Sequence, residues 1–479
     1  MKKLIITSLL FTSLFALGQQ KRMLSLEECI DIAVENNLTV QRSELNLTSS
    51  EISLMQAKAA RYPNLNAGGS YGYSWGRGID PTTNQFTTQR IGFNGLNASS
   101  GVTLINGFQI NNTIKQSRLN QEASEYDLLK AINDISLNTS LNYLNVIFNK
   151  ELLENSRFVL ESSKEQLSRT EKLVESGALP ISNELQLISQ VATNEVNLIN
   201  AENNLDLAVL ALKQGLLLPP GEEIDIVIPE IEVDQAEVEG NTVKEVYEVA
   251  LANQPEIQSA DLRVESARAG VEVANGGMLP SLSLNGSLNT NYSDLFTERF
   301  VSDGSVTIQE NVPTGLITAN NVAVLQSSVE IPNGSIEEYG VFDQYSDNLS
   351  KRLSLNLSVP IFNGFQTKAN IQRSKITQQQ AEISATETRN VLYQTIESSY
   401  RNALAAAKTY SASQRQVEAL EETFRALENQ YNLGASNFTD FQVASNNLFQ
   451  AQTDLSRAKY DFIFKLKVLE FYQGKKLTF

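Results

Sequence analysis

Histidine is absent from all 479 residues and Cys29 is the sole cysteine. Imidazole acid–base chemistry, His-ligated metals, Cys–His nucleophiles and intrachain disulfides are thereby excluded, and Cys29 reads as a small buried residue. Four methionines leave little to hold a soft metal such as copper or silver. Basic residues are scarce too, 38 against 55 acidic, giving a formal charge of −17 and no basic face for nucleic acid. Beyond the N-terminal segment no run of about 18 apolar residues exists to cross a bilayer as a helix. With 41% hydrophobic and 19% charged residues the chain is not of disordered composition either. If it enters a membrane, it enters as strands.

At the N-terminus stand Lys2 and Lys3, an apolar run over 4–17, and Ala16-Leu17-Gly18 before Gln19. That is the layout of a secretory signal peptide, assigned to 1–18. No cysteine follows the run, so a lipid-anchored N-terminus is not expected.

The chain is internally duplicated. A shift of 217 places Ala33 on Ala250, Asn36 on Asn253, Leu45 on Leu262 and Pro63 on Pro280. A shift of 257 places Asn106-Gly107-Phe108-Gln109 on Asn363-Gly364-Phe365-Gln366, Tyr143 on Tyr400 and Gly177 on Gly434, so the second copy carries about 40 extra residues between Pro280 and Asn363. The first repeat is assigned to 19–230, an acidic linker to 231–240, the second repeat to 241–474 and a C-terminal tail to 475–479. The acids of the linker lack the spacing of a calcium loop, so it is read as solvated, with Ile224, Ile226 and Ile228 just before it spaced for a short strand.

Glycine and proline are missing from 109–176 and again from 366–433, 68 residues each time. As helices these runs would extend roughly 100 Å at 1.5 Å per residue. Each ends in a turn, SGALPIS or NLGASNF, and leads into a second such run, predicting long helical hairpins over 109–214 and 366–473. Shorter helices are expected near 39–62 and 256–274. Between short and long helices the period changes to two. Leu65, Ala67, Tyr71, Tyr73 and Trp75 alternate with small or polar residues, as do Leu353, Leu355 and Leu357. Strands are predicted over 64–76, 96–106, 281–292 and 351–362, with Asn-, Ser-, Thr- and Gly-rich loops between them. One apolar and one polar face per strand is the pattern of an outer-membrane barrel, with Tyr71, Tyr73, Trp75, Leu353, Leu355 and Leu357 toward lipid. Four strands cannot close a membrane barrel; three chains, giving twelve strands, are needed for an open pore.

The leader, the duplicated helix–strand–strand–helix–turn–helix unit, PIFNGF before the long helix and YNLGASNFTD at the turn together resemble the TolC family of outer-membrane efflux proteins. The resemblance covers 24–474. It implies a mainly α fold with β: long α-helical hairpins forming a trimeric α-barrel in the periplasm, plus a 12-stranded outer-membrane β-barrel with four strands per chain. It further implies a homotrimer in outer-membrane lipid that serves as exit duct for a periplasmic membrane-fusion adaptor and an inner-membrane transporter, in tripartite efflux or type I secretion. No cofactor, metal or enzymatic activity is implied.

Family members narrow the periplasmic end with an inter-helix network and with lumenal acids six and nine residues after the second turn glycine. Counting from Gly434, Asp440 matches the first and Val443 departs from the second. Tyr431 stands at the network's tyrosine position, Ser436 where arginine is frequent, and Asn183 at the sixth position of the first copy. The resemblance therefore implies one ring of carboxylates, from Asp440, with Tyr431 and Asn183 at the constriction and moderate cation selectivity. Asp440 equally suits a helix N-cap in FTDFQ. The turns around Gly177 and Gly434 are the expected adaptor contacts, through Leu173, Leu179, Leu433 and Phe438, unless these only pack the turns.

Two other classes stay open. A secreted or surface coiled-coil structural protein would have the strands as a soluble head and no pore. A periplasmic enzyme would need acids clustered in a cleft, whereas the helices offer scattered pairs such as Glu421-Glu422. Substrate, pump and adaptor are not legible in the residues.

Overall fold

Ser25 and Glu28 bond reciprocally, the hydroxyl accepting from the Glu28 N–H and the carboxylate from the Ser25 N–H, and so open the first helix with a capping box. Thr242 and Glu245 do the same one repeat later. The computed structural model describes residues 22–80, 84–229, 242–319 and 322–475. The expected signal peptide 1–18, the acidic linker 231–240 and nearly all of the tail 475–479 lie outside them.

The first repeat runs β1 (Arg22–Leu24), α1 (Leu26–Asn36), α2 (Leu38–Ala59), β2 (Asn64–Ser74), β3 (Gly78–Ile79), β4 (Phe86–Thr87), β5 (Ile91–Asn106), α3 (Gln109–Glu175), α4 (Ile181–Gly215) and β6 (Ile224–Ile226). The second runs α5 (Val243–Asn253), α6 (Pro255–Gly276), β7 (Ser281–Ser293), β8 (Glu298–Ile317), β9 (Ala323–Glu338), α7 (Val341–Asp347), β10 (Ser350–Ser358), α8 (Gln366–Asn432) and α9 (Phe438–Tyr472). The two long hairpins match the glycine- and proline-free runs. None of the described helices is long and apolar enough to cross a membrane.

The described residues divide into two compact units, one falling within 1–54, 115–269 and 373–479 and the other within 55–114 and 270–372. In the first, β1 and β6 pair in parallel, Leu24 beside Ile226. Leu24, Cys29, Tyr143, Ile147, Leu212 and Leu216 pack around this ribbon. The Tyr143 hydroxyl donates to the carbonyls of Val227 and Leu24, so burial of the ring leaves no orphaned polar atom. The expected strand at Ile224 and Ile226 is thus present. Burial, with the Glu28 charge nearby, pushes the Cys29 thiol up to about 12, which keeps it unreactive. A second cluster gathers Val246, Ile257, Leu392, Ile396, Phe462 and Leu469.

In the second unit four antiparallel strands lie in the order β10-β7-β5-β2. Among the described residues the outer edges of β2 and β10 carry no partner strand. β2 and β7 match their expected spans closely; β5 begins earlier than predicted, at Ile91, and β10 ends earlier, at Ser358. β2 stops at Ser74 because Gly76 takes φ +109°, which turns the chain out of the sheet.

The loop reading of the second insertion is corrected by the structure. Residues 298–317 and 323–338 form an antiparallel ribbon, β8 with β9, Phe300 opposite Ile336 and Ile308 opposite Glu330. Its register shifts between Ser302 and Val306 and between Pro313 and Ile317, which breaks the alternation a strand normally displays. The first loop likewise holds the small β3–β4 pair. At the base of the ribbon Gln344 is fully buried: its amide donates to the carbonyls of Ser293, Phe296 and Tyr339 and its oxygen accepts from the Ser293 N–H at 3.0 Å. Replacing Gln344 with alanine leaves these backbone groups unpaired, at about 1–3 kcal/mol each where water cannot reach them. Faster proteolysis and amide exchange in 293–347 are expected, with exchange in α3 and α8 unchanged.

Candidate functional site

Both helical hairpins reverse through a glycine in the left-handed region, Gly177 at φ +75° and Gly434 at φ +72°. The Ala178 N–H donates to Leu173 O at 2.8 Å and the Ala435 N–H to Gln430 O at 2.8 Å, closing the last helical turns. A side chain at either glycine would meet nothing within 4 Å, so the requirement is for backbone conformation alone. Leu173 and Leu433 are exposed at these tips and Leu179 is half-buried. Phe438 is buried at 5% exposure, so of its two readings the structure shows it packing the turn.

Tyr431 is likewise buried. Its ring stacks on Phe441 at 5.2 Å and tilts against Phe438 at 5.9 Å, and Phe424 lies 5.5 Å from Phe441. Leu187 of α4 completes the cluster, with Leu167 of α3 packed against it, which joins the first hairpin to the second. The Tyr431 hydroxyl is buried without a hydrogen-bond partner. A polar closing contact from this tyrosine is therefore absent among the described residues, and aromatic packing stands in its place.

One turn farther along, amides lace the same helices. Gln442 of α9 donates to Gln190 of α4; Gln190 in turn donates to Asn446 of α9 at 3.2 Å and to Asn194 of α4 at 3.0 Å. Asn194 donates to the Ser163 hydroxyl of α3 at 2.6 Å. Sequence reasoning missed this ladder. Its one signal is Gln190 with Asn194 and Gln442 with Asn446, each spaced i, i+4 on one helical face. Ladder and rings border a cleft between the hairpins, lined also by Phe158, Ser162, Leu448 and Phe449.

Asp440 is exposed in the first turn of α9. The residue that caps the helix is Asn437, which accepts from the Asp440 N–H at 2.9 Å and donates to the Asp440 carboxylate at 2.8 Å. The N-cap alternative for Asp440 is thus corrected to Asn437. The carboxylate sits at the helix N-terminus, where its charge is favoured. Asn183 is half-buried in the first turn of α4, its N–H on Pro180 O at 3.1 Å.

In the sheet, Tyr71, Tyr73, Trp75, Leu353, Leu355 and Leu357 are all exposed. Alternation puts them on one face together with Leu65, Leu284 and Leu288. The Tyr71 and Tyr73 hydroxyls lie 2.6 Å apart, and Arg90 stacks 4.7 Å over Tyr73 while pairing with Asp294 at 3.0 Å. The opposite face carries mostly polar groups, for example Asn66, Ser99, Ser287 and Arg352 across one rung. Phe108 and Phe365, equivalent in the two repeats, are exposed beyond the strand ends with φ of +63° and +65°. No cluster of three or more potential metal ligands occurs among the described residues.

The model of the family described as outer membrane efflux protein matches residues 29–216 and 246–474. Outer membrane protein TolC of Escherichia coli K12 is 23% identical over 331 residues, 68% of this chain but 58% of that protein's length. The probable outer membrane lipoprotein SilC of Salmonella typhimurium is 20% identical over 430 residues, 89% of this chain and 81% of its own. Among solved structures, VceC of Vibrio cholerae superposes with a TM-score of 0.72 at 16% identity, covering 95% of this chain and 97% of that one. The outer membrane channel CmeC of Campylobacter jejuni gives 0.68 at 17% identity over 94% and 85%. At these identities the superpositions show the fold.

Proposed function

The chain belongs to the outer membrane efflux protein family, and from that premise we propose that three copies form a passive exit duct through the outer membrane. The observation that carries this reading is a four-stranded sheet with a largely apolar exposed face and, among the described residues, two unpaired edges. Such a sheet is unstable in water as a free element. Lipid against Leu353, Leu355 and Leu357, and strand pairing between copies, resolve both defects at once, and three copies supply the twelve strands that leave an open lumen. The wet Asn and Ser face then lines the passage. A soluble coiled-coil stalk has no use for that apolar face.

The long hairpins form the periplasmic conduit in this reading, delivering cargo from an inner-membrane transporter through a periplasmic adaptor. The exposed tips at Leu173, Gly177, Leu433 and Gly434 are the adaptor contacts, with Leu179 beside them. The aromatic cluster and amide ladder between α4 and α9 act as the clasp that keeps the hairpins together at the narrow end, where Asp440 concentrates cations. No residue of the duct performs a covalent step. Cargo is selected by the pump rather than here.

The test is the mass of the detergent-extracted protein from washed outer membranes. A particle of three chain masses is the expected result; a monomer, or recovery only in the soluble fraction, overturns the duct.

A further inference from the structure

The two repeats pair their own strands in the same register. Asn64 faces Gly101 and Gly72 faces Phe93 in the first; Ser281 faces Ser358 and Asn289 faces Ser350 in the second. Under the alignment that brings Pro63 onto Pro280 and Asn106 onto Asn363, these are equivalent pairs, despite the 40-residue insertion between β7 and β10. The sheet therefore repeats with a strand pair as its unit. Its internal seam, β5 against β7, joins the second strand of one repeat to the first strand of the next.

The edge strands left open are the second strand of the second repeat, β10, and the first strand of the first repeat, β2. A neighbouring copy that meets β10 with its β2 recreates the seam already present inside the chain. We propose that the copies join edge to edge in the register of the β5–β7 seam, an inference that rests on the duct reading and fixes its interface residue by residue. Within the seam Ala98 faces Leu288, Leu96 faces Thr290, Asn97 faces Asn289 and Asn94 faces Tyr292. Carried to the edges, Leu355 faces Tyr71 of the next copy, Leu353 faces Tyr73, Asn356 faces Ser70 and Lys351 faces Trp75.

Chemistry at the edges agrees with the transfer. The leucines meet aromatic rings on the apolar face, and Asn356 meets Ser70 on the polar face. A slip of one residue would put Leu355 opposite Ser70 or Gly72, sending apolar side chains to the wet side. Lys351 is the basic side chain on the apolar face of β10, and the pairing brings it to the exposed indole of Trp75, where an ammonium is held by the ring face while its stem crosses apolar surface. The aromatic group at the end of β2 thus serves the contact between copies as well as the lipid boundary. Following one rung from Asn64 through Gly101, Asn285 and Ser354 leads to Gly72 of the next copy, so the strands are strongly tilted, as closure of a barrel requires.

Cysteine pairs read this register directly. Opposed residues of antiparallel strands have Cα atoms about 4.5–5.5 Å apart, within disulfide reach, whereas diagonal neighbours stand about 7–8 Å apart and are beyond it. The variants are Asn356→Cys with Ser70→Cys, and Leu355→Cys with Tyr71→Cys, which sample both kinds of opposed pair. Asn356→Cys with Gly68→Cys, and with Gly72→Cys, are the out-of-register controls. Cys29 is buried and stays out of the reaction. After mild oxidation of membranes, the in-register pairs are expected to run as covalent dimers and trimers on non-reducing gels, and the controls as single chains. Cross-linking of a control in preference to its in-register partner overturns the register. No cross-link from any pair in a protein that still extracts as a trimer overturns the register and leaves the duct standing. No cross-link together with a monomeric extract overturns both.

Discussion

Alanine at both Gln190 and Gln442 is expected to raise the conductance of the reconstituted channel severalfold without lowering its yield. The exchange removes the contact of Gln442 with Gln190 and the onward bond to Asn446, so α4 and α9 lose their polar lacing while every apolar ring stays in place. A net value of about 1 kcal/mol for each of the two neutral hydrogen bonds lost makes separation of the hairpins roughly thirtyfold more favourable per chain. Phe441→Ala acts on the other half of the clasp and reaches further. It takes away the ring that Tyr431, Phe438 and Phe424 all touch, at about 3–5 kcal/mol for a buried phenylalanine. Planar-bilayer recordings on trimeric protein check both variants. Unaltered conductance from both would remove the clasp from the gate. The contacts of ladder and cluster are uncharged, so the opening they permit is expected to vary little with ionic strength, unlike a gate held by ion pairs.

Leu355→Arg should abolish assembly in the outer membrane, while Asn356→Arg, one residue along the same strand, should be tolerated. Leu355 projects from the apolar face opposite Leu284, and Asn356 from the polar face opposite Ser283. A guanidinium on the lipid side near the midplane costs about 2–4 kcal/mol per chain, and the trimer incurs it three times. On the lumenal side the same group stays in water. The readout is the fraction of chain in outer membranes that resists extraction at high salt and runs as a trimer. Equal loss from both variants, or from neither, would show that the two faces do not divide lipid from water.

Much of this is legible in the sequence because strong local rules point the same way. Sixty-eight residues without glycine or proline admit one interpretation, and the turn glycines at 177 and 434 are where the backbone needs positive φ. The alternation from Leu353 to Leu357 gave the sheet faces. What escaped was set by partners far away in sequence. The amide ladder looks like an ordinary solvated helix face until α4 meets α9, and Tyr431 reads as a polar gate residue until Phe438 and Phe441 surround it. The β8–β9 ribbon was missed because Asp303 and Gly304 interrupt its pattern inside the first register shift and Pro313 borders the second. The capping boxes at Ser25 and Thr242 could have been found, since S-x-x-E and T-x-x-E before an apolar run are visible in the letters.

That ribbon leaves the paired strands on either side of it undisturbed: β7 and β10 keep the register of β2 and β5, which are joined by a much shorter connection. It behaves as a cassette spliced into a tolerant site, and chain-closure entropy grows only slowly with the length of such an insert. Exchanging 298–338 for a foreign peptide is thus a route to surface display, in which the host architecture is indifferent to its passenger and Gln344 supplies the clamp beneath it.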